Sequence, residues 1–350
     1  MSIAEKLVSL VEKISGALTN CNQALASKGV GNANSLWDIG NRIYEIEVGS
    51  GSDDDSKYVS IINKTIEQVS NDNVNLVGTY AFYSCKSLKS IDLPACTQIN
   101  DSAFYFCPSL SSVNLPVCTN IGVDAFELCS SLTSIYLPVC TYIDKGAFTS
   151  CALLKSIDLP ACQSIGSNIF YSCTALSSVG LPVCTIIGIS AFANCRSLKS
   201  IDLPVCTNIY NSAFYYCVSL TSIDLPVCTN IGSNVFYYDH SLSSVNLPVC
   251  TNIGSGAFYS CKSLKSIDLP MCTSISNSAF YYCSSLMSVI LRSSSVVTLN
   301  NSKAFYYTPM QHSSYTGAFG SIFVPASLVA TYQAATNWNY YSSRITAIVE

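Results

Sequence analysis

The sequence predicts a solenoid of 22-residue turns, each contributing one short parallel strand, with a helical arm before it and a helical cap after it. Three observations carry this expectation. Cysteines recur every eleven residues from Cys85 to Cys228 and again from Cys250 to Cys283, with one gap at Asp239. Leu-Pro pairs recur every 22 residues from Leu93-Pro94 to Leu269-Pro270. Whole stretches are copied, residues 81–94 matching 257–270 and 109–122 matching 241–254, which indicates recent internal duplication. A fixed period of this size marks stacked turns, none of which could bury its own apolar side alone.

The elements follow in chain order. Residues 1–48 read as a helical arm: Ser2 and Glu5 form a capping-box start, and Ile3, Leu7, Leu10, Ile14, Ala17, Cys21 and Ala24 alternate at four and three residues. Val11, Leu18 and Leu25 widen that seam, which therefore needs a broad covering surface. A second short helix is expected from Ser35 to Ile46, with Leu36, Ile39 and Ile43 on one side. Residues 49–56, Gly-Ser-Gly-Ser-Asp-Asp-Asp-Ser, read as a flexible linker. It leaves three coverings open to the seam: the second helix, self-association through residues 1–46, or a larger assembly. Packing back on the solenoid is the alternative.

The solenoid is expected over 57–350. Its first turn, 57–78, is a decayed cap in which Ile66, Val69, Val74, Val77 and Gly78 precede Leu88, Ile91, Cys96, Ile99 and Asn100 by 22 residues. In each regular turn Leu88, Ile91, Leu93 and their repeats are apolar, and the last two have the period of two that aims a strand's side chains at a core. Pro94 and its counterparts lack the N–H a ladder needs, so the strand ends there in a corner. Ile99 and Phe104 with their repeats supply a second apolar wall, the Phe column running from Phe82 to Phe280. The C-terminal cap is expected over 296–350, where extra residues around Tyr306–Phe319 interrupt the last turn. There Ile322-Phe323-Val324-Pro325 repeats the strand and corner, and Ser327 to Ala335 forms a short helical lid with Trp338. Roughly twelve turns give a length of about 55 to 60 Å at ~4.8 Å per turn.

This pattern resembles the BspA-like class of leucine-rich repeat proteins, whose unit reads approximately A-F-x-x-C-x-x-L-x-x-I-x-I-P-x-x-V-T-x-I-G. The resemblance covers about residues 60–345 and falls on Ala81-Phe82, Cys85, Leu88, Ile91, Leu93-Pro94, Thr97, Ile99 and their repeats. The chain departs from the family in having one residue fewer between Pro and Ile and a second cysteine, Cys96 and its repeats, at the corner. The resemblance implies a repeat solenoid of leucine-rich-repeat type and a role in surface attachment. The rival reading is an intracellular or phage-borne assembly component docked by its N-terminal helices. No secretion signal is visible, because Glu5, Lys6, Glu12 and Lys13 interrupt any apolar stretch, and no segment is long enough to insert in a membrane.

Composition excludes several function classes. With 17 Lys and Arg against 21 Asp and Glu, the net charge of −4 provides no basic field for nucleic acid. The two histidines, His240 and His312, leave little for acid–base catalysis, and no cofactor or metal site is expected. Cysteines eleven apart lack zinc-knuckle spacing, and neighbours with parallel Cβ vectors are poorly placed for a disulfide, so the array reads as small interior residues with free thiols. Asp239-His240, at the gap, reads as drift at a tolerated surface position. Gly180 and Gly188 are turn residues spread by the repeat rather than a phosphate cradle.

Two surface strips remain as candidates for recognising a protein or glycan. Residues flanking the buried Ile column point outward, which makes one column entirely serine, including Ser90, Ser156, Ser200, Ser222 and Ser266. Its neighbour holds Asp92, Asp158, Asp202, Asp224 and Asp268, with Asn114, Tyr136, Gly180, Asn246 and Ile290 between and beyond them. Beside the Phe column runs a tyrosine strip, Tyr83, Tyr105, Tyr171, Tyr215, Tyr237, Tyr259 and Tyr281. Exposed rings there could stack sugars, or they could stack on each other and brace neighbouring turns.

Overall fold

A computed structural model describes residues 66–311 and 319–349. The predicted helical arm and linker, the start of the first cap turn, and His312 lie outside them. Within the described residues the chain winds in parallel turns, and each turn carries two strands. The first turn contributes β1 (Gln68–Ser70) and β2 (Leu76–Val77), and the second β3 (Ser90–Asp92) and β4 (Gln98–Ile99). Val69 pairs in parallel with Ile91 and Val77 with Ile99, the 22-residue offset expected of a decayed cap turn.

The same offset continues along both ladders, for example Ile91 with Val113 and Ile99 with Ile121. The one-strand expectation therefore describes half of each turn. Two-residue segments such as Asn230–Ile231 form a second ladder that runs from Ser164–Ile165 to Thr298–Leu299 without a break. Along the first ladder the residue at rung 202 takes part only through single bridges, Gly180 to Asp202 and Asp202 to Asp224.

Between the two ladders the core is filled by columns. Leu88, Ile91, Leu93, Ile99 and Phe104 and their repeats are buried throughout. The phenylalanines form a face-to-face stack, with centroids 5.0 Å apart between Phe82 and Phe104 and 5.2 Å between Phe258 and Phe280. Phe305 extends that stack by one rung, 5.2 Å beyond Phe280. Each buried ring brings a large apolar area, and stacking adds roughly 0.5–1.5 kcal/mol per pair.

All eighteen described cysteines are buried, and none of them is in a disulfide. They serve as more than small fillers, because the thiols donate to carbonyls inside the turn. Cys107 Sγ donates to the Phe82 carbonyl oxygen at 3.0 Å, and Cys283 Sγ to that of Phe258 at 2.9 Å. In the corner column, Cys118 Sγ donates to the Asn120 carbonyl oxygen at 3.3 Å. The second cysteine by which this repeat departs from its relatives thus ties the corner to the second strand. Burial pushes the Cys118 and Cys129 thiols up to about 12, so their nucleophilic thiolates are suppressed.

The return from the second ladder to the next turn uses two left-handed residues per turn, such as Ser102 (φ 51°) and Phe106 (φ 55°). Their amides donate to the following turn, Ser102 N to the Val123 oxygen at 2.8 Å and Phe106 N to that of Glu127 at 2.8 Å. Glycine occupies these positions only at Gly146 and Gly256. At Gly188 the reason for glycine is different: an added Cβ would lie 2.6 Å from the Gly166 backbone, so the absent side chain lets two turns approach.

The C-terminal cap follows the expected plan and adds one strand to it. Ser321–Val324 pairs with the preceding first-ladder strand, Val289 opposite Ile322. A short 3-10 turn, Ala326–Leu328, leads into α1 (Val329–Ala334). Tyr332, Trp338 and Tyr341 are buried, and Trp338 Nε1 donates to the Val297 carbonyl oxygen at 2.7 Å. The added strand, Ile345–Ala347, pairs with Ser321–Val324 and covers the sheet edge.

Candidate binding surface

The Ser/Asp strip lies on the first ladder with its side chains outward and the Ile column inward, as alternation requires. Ser156, Ser200, Ser222 and Ser266 are exposed and Ser90 is half-buried; Asp92, Asp158, Asp202, Asp224 and Asp268 are all exposed. The carboxylates are not equivalent. Asn114 Nδ2 donates to Asp92 at 2.8 Å, Asn246 Nδ2 donates to Asp224 at 2.8 Å, and Arg292 pairs with Asp268 at 3.0 Å. Asp158 and Asp202 accept no hydrogen bond from any described residue. They stand on either side of Gly180, over which Asp158 leans so closely that an added Cβ would meet its Oδ1 at 2.1 Å. Of the strip lysines, Lys89 turns away to Glu67 at 2.7 Å.

The tyrosine strip is brought together by the return segment, and its rings lie face to face. Tyr83 stacks on Tyr105 at 5.1 Å. A longer run passes through Tyr215, Tyr237, Tyr259 and Tyr281, with centroid separations of 5.2, 4.4 and 5.0 Å, and reaches Tyr306 at 5.9 Å. Glu127, Thr149 and Ala193 interrupt the column, so Tyr171 stands apart from both runs. Because neighbouring rings occupy each other's faces, the run presents edges and hydroxyls rather than open platforms for a sugar. Burial pushes the Tyr237 hydroxyl up to about 12, which keeps it a donor at neutral pH.

Sequence reasoning did not single out a second tyrosine lane, Tyr216, Tyr238, Tyr282 and Tyr307, at the left-handed position that follows the first lane in each of these turns. The signal was present as Tyr-Tyr doublets in the repeat. Glu127, which takes a tyrosine's place in the first lane, is pushed up to about 7 by burial and by the neighbouring Asp124 carboxylate.

The reading of Asp239 as a surface residue is overturned. Its carboxyl is fully buried at the one position where the Phe-side thiol column lacks a cysteine, and neither oxygen has a hydrogen-bond partner. Burial drives its carboxyl well above the usual range. His240 does not engage it: the ring is half-buried, with Nδ1 2.9 Å from the Ser260 carbonyl oxygen and its edge on Tyr238. Among the described residues no cluster of three or more His, Cys, Asp or Glu could hold a metal ion, and no helix is long and apolar enough to cross a membrane.

A profile of the BspA type leucine rich repeat region matches residues 60–177, 141–248, 163–270 and 207–323, which together span most of the chain. The chain belongs to the BspA-type leucine-rich repeat family. Among solved structures, a leucine-rich repeat protein from Bacteroides ovatus is similar at 23% identity, covering 82% of this chain and 85% of that one, with a TM-score of 0.48. A leucine rich cell surface protein from Faecalibacterium prausnitzii is similar at 23% identity over 80% of this chain and 91% of that one, with a TM-score of 0.40. The leucine rich repeat protein of T. pallidum shares 28% identity over 50% of this chain and 77% of that one, with a TM-score of 0.36. No curated protein matches the chain. BspA-type repeats explain the two ladders here, and their long, regular outer surface suits the binding of a macromolecule.

Proposed function

We propose that this protein is a non-enzymatic binding module of the adhesive kind, which recognises a protein or a glycan through its Ser/Asp face. The observation that carries the reading is the pair Asp158 and Asp202, two exposed carboxylates left without partners on either side of Gly180 while Asp92, Asp224 and Asp268 are tied by their neighbours. Free acceptors are thus concentrated mid-solenoid, beside serine hydroxyls along the first ladder. Such a face suits glycan hydroxyls or the cationic side chains of a protein, and it repels a phosphate backbone. The resemblance to the BspA-like class is what implies a role in attachment. A cell-surface or secreted location belongs to the same proposal.

The test is a glycan and host-protein array read with the wild type and with Asp158→Asn/Asp202→Asn. Binding by the wild type that falls at least tenfold in the variant, with Tm unchanged, is expected. Equal binding by both would move the site to the tyrosine strip.

A further inference from the structure

Four columns run around the corner and onto the second ladder: the proline, the residue after it, the position two further on and its successor, as in Pro226, Val227, Thr229 and Asn230. From the turn of Val117 to that of Met271, four columns over eight rungs give 32 positions, none of them charged and none buried. Val117, Val183, Val227 and Met271 are 41–56% exposed, so an apolar row follows the corner. At ~4.8 Å per rung the strip is about 34 Å long. The other outer faces differ, because the first ladder carries aspartates and lysines and the return segment carries Asp101, Asp124, Glu127 and Asp144. Even the threonines of the strip have little need of water. Thr207, Thr229, Thr251 and Thr273 each donate from Oγ1 to the threonine carbonyl oxygen of the preceding turn, at 3.2, 3.4, 3.1 and 3.0 Å. Covering these hydroxyls leaves no donor unmade, which keeps the desolvation cost low.

The core of a protein–protein interface is depleted of charge, and a standard interface engages about 20–30 residues a side. The strip meets both conditions. Its chemistry also selects the partner. The chain carries a net charge of −4, so two copies that meet through their aspartate-bearing faces bring carboxylates together, whereas this face brings no charges together at all. A repeating row also fits itself: turned about a two-fold axis normal to the face, the ~4.8 Å spacing of one copy's rungs matches that of the other. We propose that two copies of this chain pack face to face through the Pro–Val–Thr–Asn strip as an antiparallel dimer, which leaves both Ser/Asp faces open.

Light scattering of the full chain over a concentration series should give twice its 37.6 kDa. Val183→Glu/Val227→Glu should give the mass of a single chain with the folded unit's Tm little changed, because both valines are exposed. Mixing it with Val183→Lys/Val227→Lys, itself expected to be monomeric, should restore the dimer by pairing opposite charges across the strip. Leu7→Ser/Leu10→Ser, which lies outside the described residues and perturbs the predicted arm instead, should leave the dimer intact. A wild type of single-chain mass at every concentration, or a Val183→Glu/Val227→Glu variant that remains dimeric, would overturn the proposal. A dimer that Leu7→Ser/Leu10→Ser dissociates would overturn it in favour of self-association through the arm.

Discussion

Replacing Asp239 by cysteine should stabilise the protein and remove part of its pH dependence. Nine other turns place a cysteine at this position, and where its geometry is resolved the thiol donates to the preceding turn's Phe carbonyl oxygen, as Cys217 does to Phe192 at 3.1 Å and Cys261 to Phe236 at 3.1 Å. Asp239 leaves two buried oxygens without a partner, a defect that costs about 1–3 kcal/mol even for a neutral group. The linkage adds to this. The folded-state carboxyl is raised by burial, so above the unfolded pKa, near 3.9, the unfolded chain releases a proton that the folded chain keeps. Stability is therefore lost as pH rises, by about 1.4 kcal/mol per pH unit for as long as the folded carboxyl remains protonated. Urea unfolding under reducing conditions at pH 4, 5, 6 and 7 should show Asp239→Cys more stable by about 1–3 kcal/mol at pH 4, with an advantage that widens toward pH 6. Asp239→Asn separates the two effects: its stability should stay low, because a buried amide is still unpartnered, while its pH dependence should resemble that of the cysteine variant. A wild type and cysteine variant separated by the same margin at every pH would refute the reasoning.

Other expectations test the core, the turns and the tyrosine lane. Phe192→Ala removes the middle of the ring stack, 5.3 Å from both Phe170 and Phe214, and should cost about 3–5 kcal/mol in the same unfolding experiment. Ser172 has φ 59°, so Ser172→Gly should hold or raise Tm while Ser172→Val lowers it by several degrees. Glu127 should titrate near 7 when its carboxyl is followed by NMR, and the loss of Tm between pH 4.5 and 7 should be smaller in Glu127→Gln, since a raised carboxyl favours the folded state only while protonated.

The parts of the fold that were legible from sequence are those in which one residue type answers to one physical demand in every turn. Ile91 and Leu93 alternate, Pro94 cannot donate, and Phe104 is too large to leave in water, so strand, corner and core could be read without coordinates. The second ladder was less legible because Gln98–Ile99 and its repeats are two residues long, too short for alternation to register. The left-handed positions carry Ser, Phe, Leu, Asn and Tyr, so no glycine signature announces them. The closing strand Ile345–Ala347 follows a helical lid and lies outside the repeat, and only its pairing with Ile322 reveals it. Asp239 could have been placed correctly, since its register with Cys217 and Cys261 is that of a core column; its polar chemistry outweighed its position. In the Ser/Asp strip the exposure of the columns was legible, whereas the inequality of the five carboxylates depends on which neighbour stands on the next rung.

The eleven-residue cysteine register is the basis for assigning inside and outside to every other column, and counting thiols tests it most directly. Labelling followed by intact-mass measurement should find all nineteen cysteines free after denaturation, with the eighteen of the array unreactive in the folded chain. A largely oxidised protein, or rapid labelling of most array cysteines while it is folded, would contradict the account.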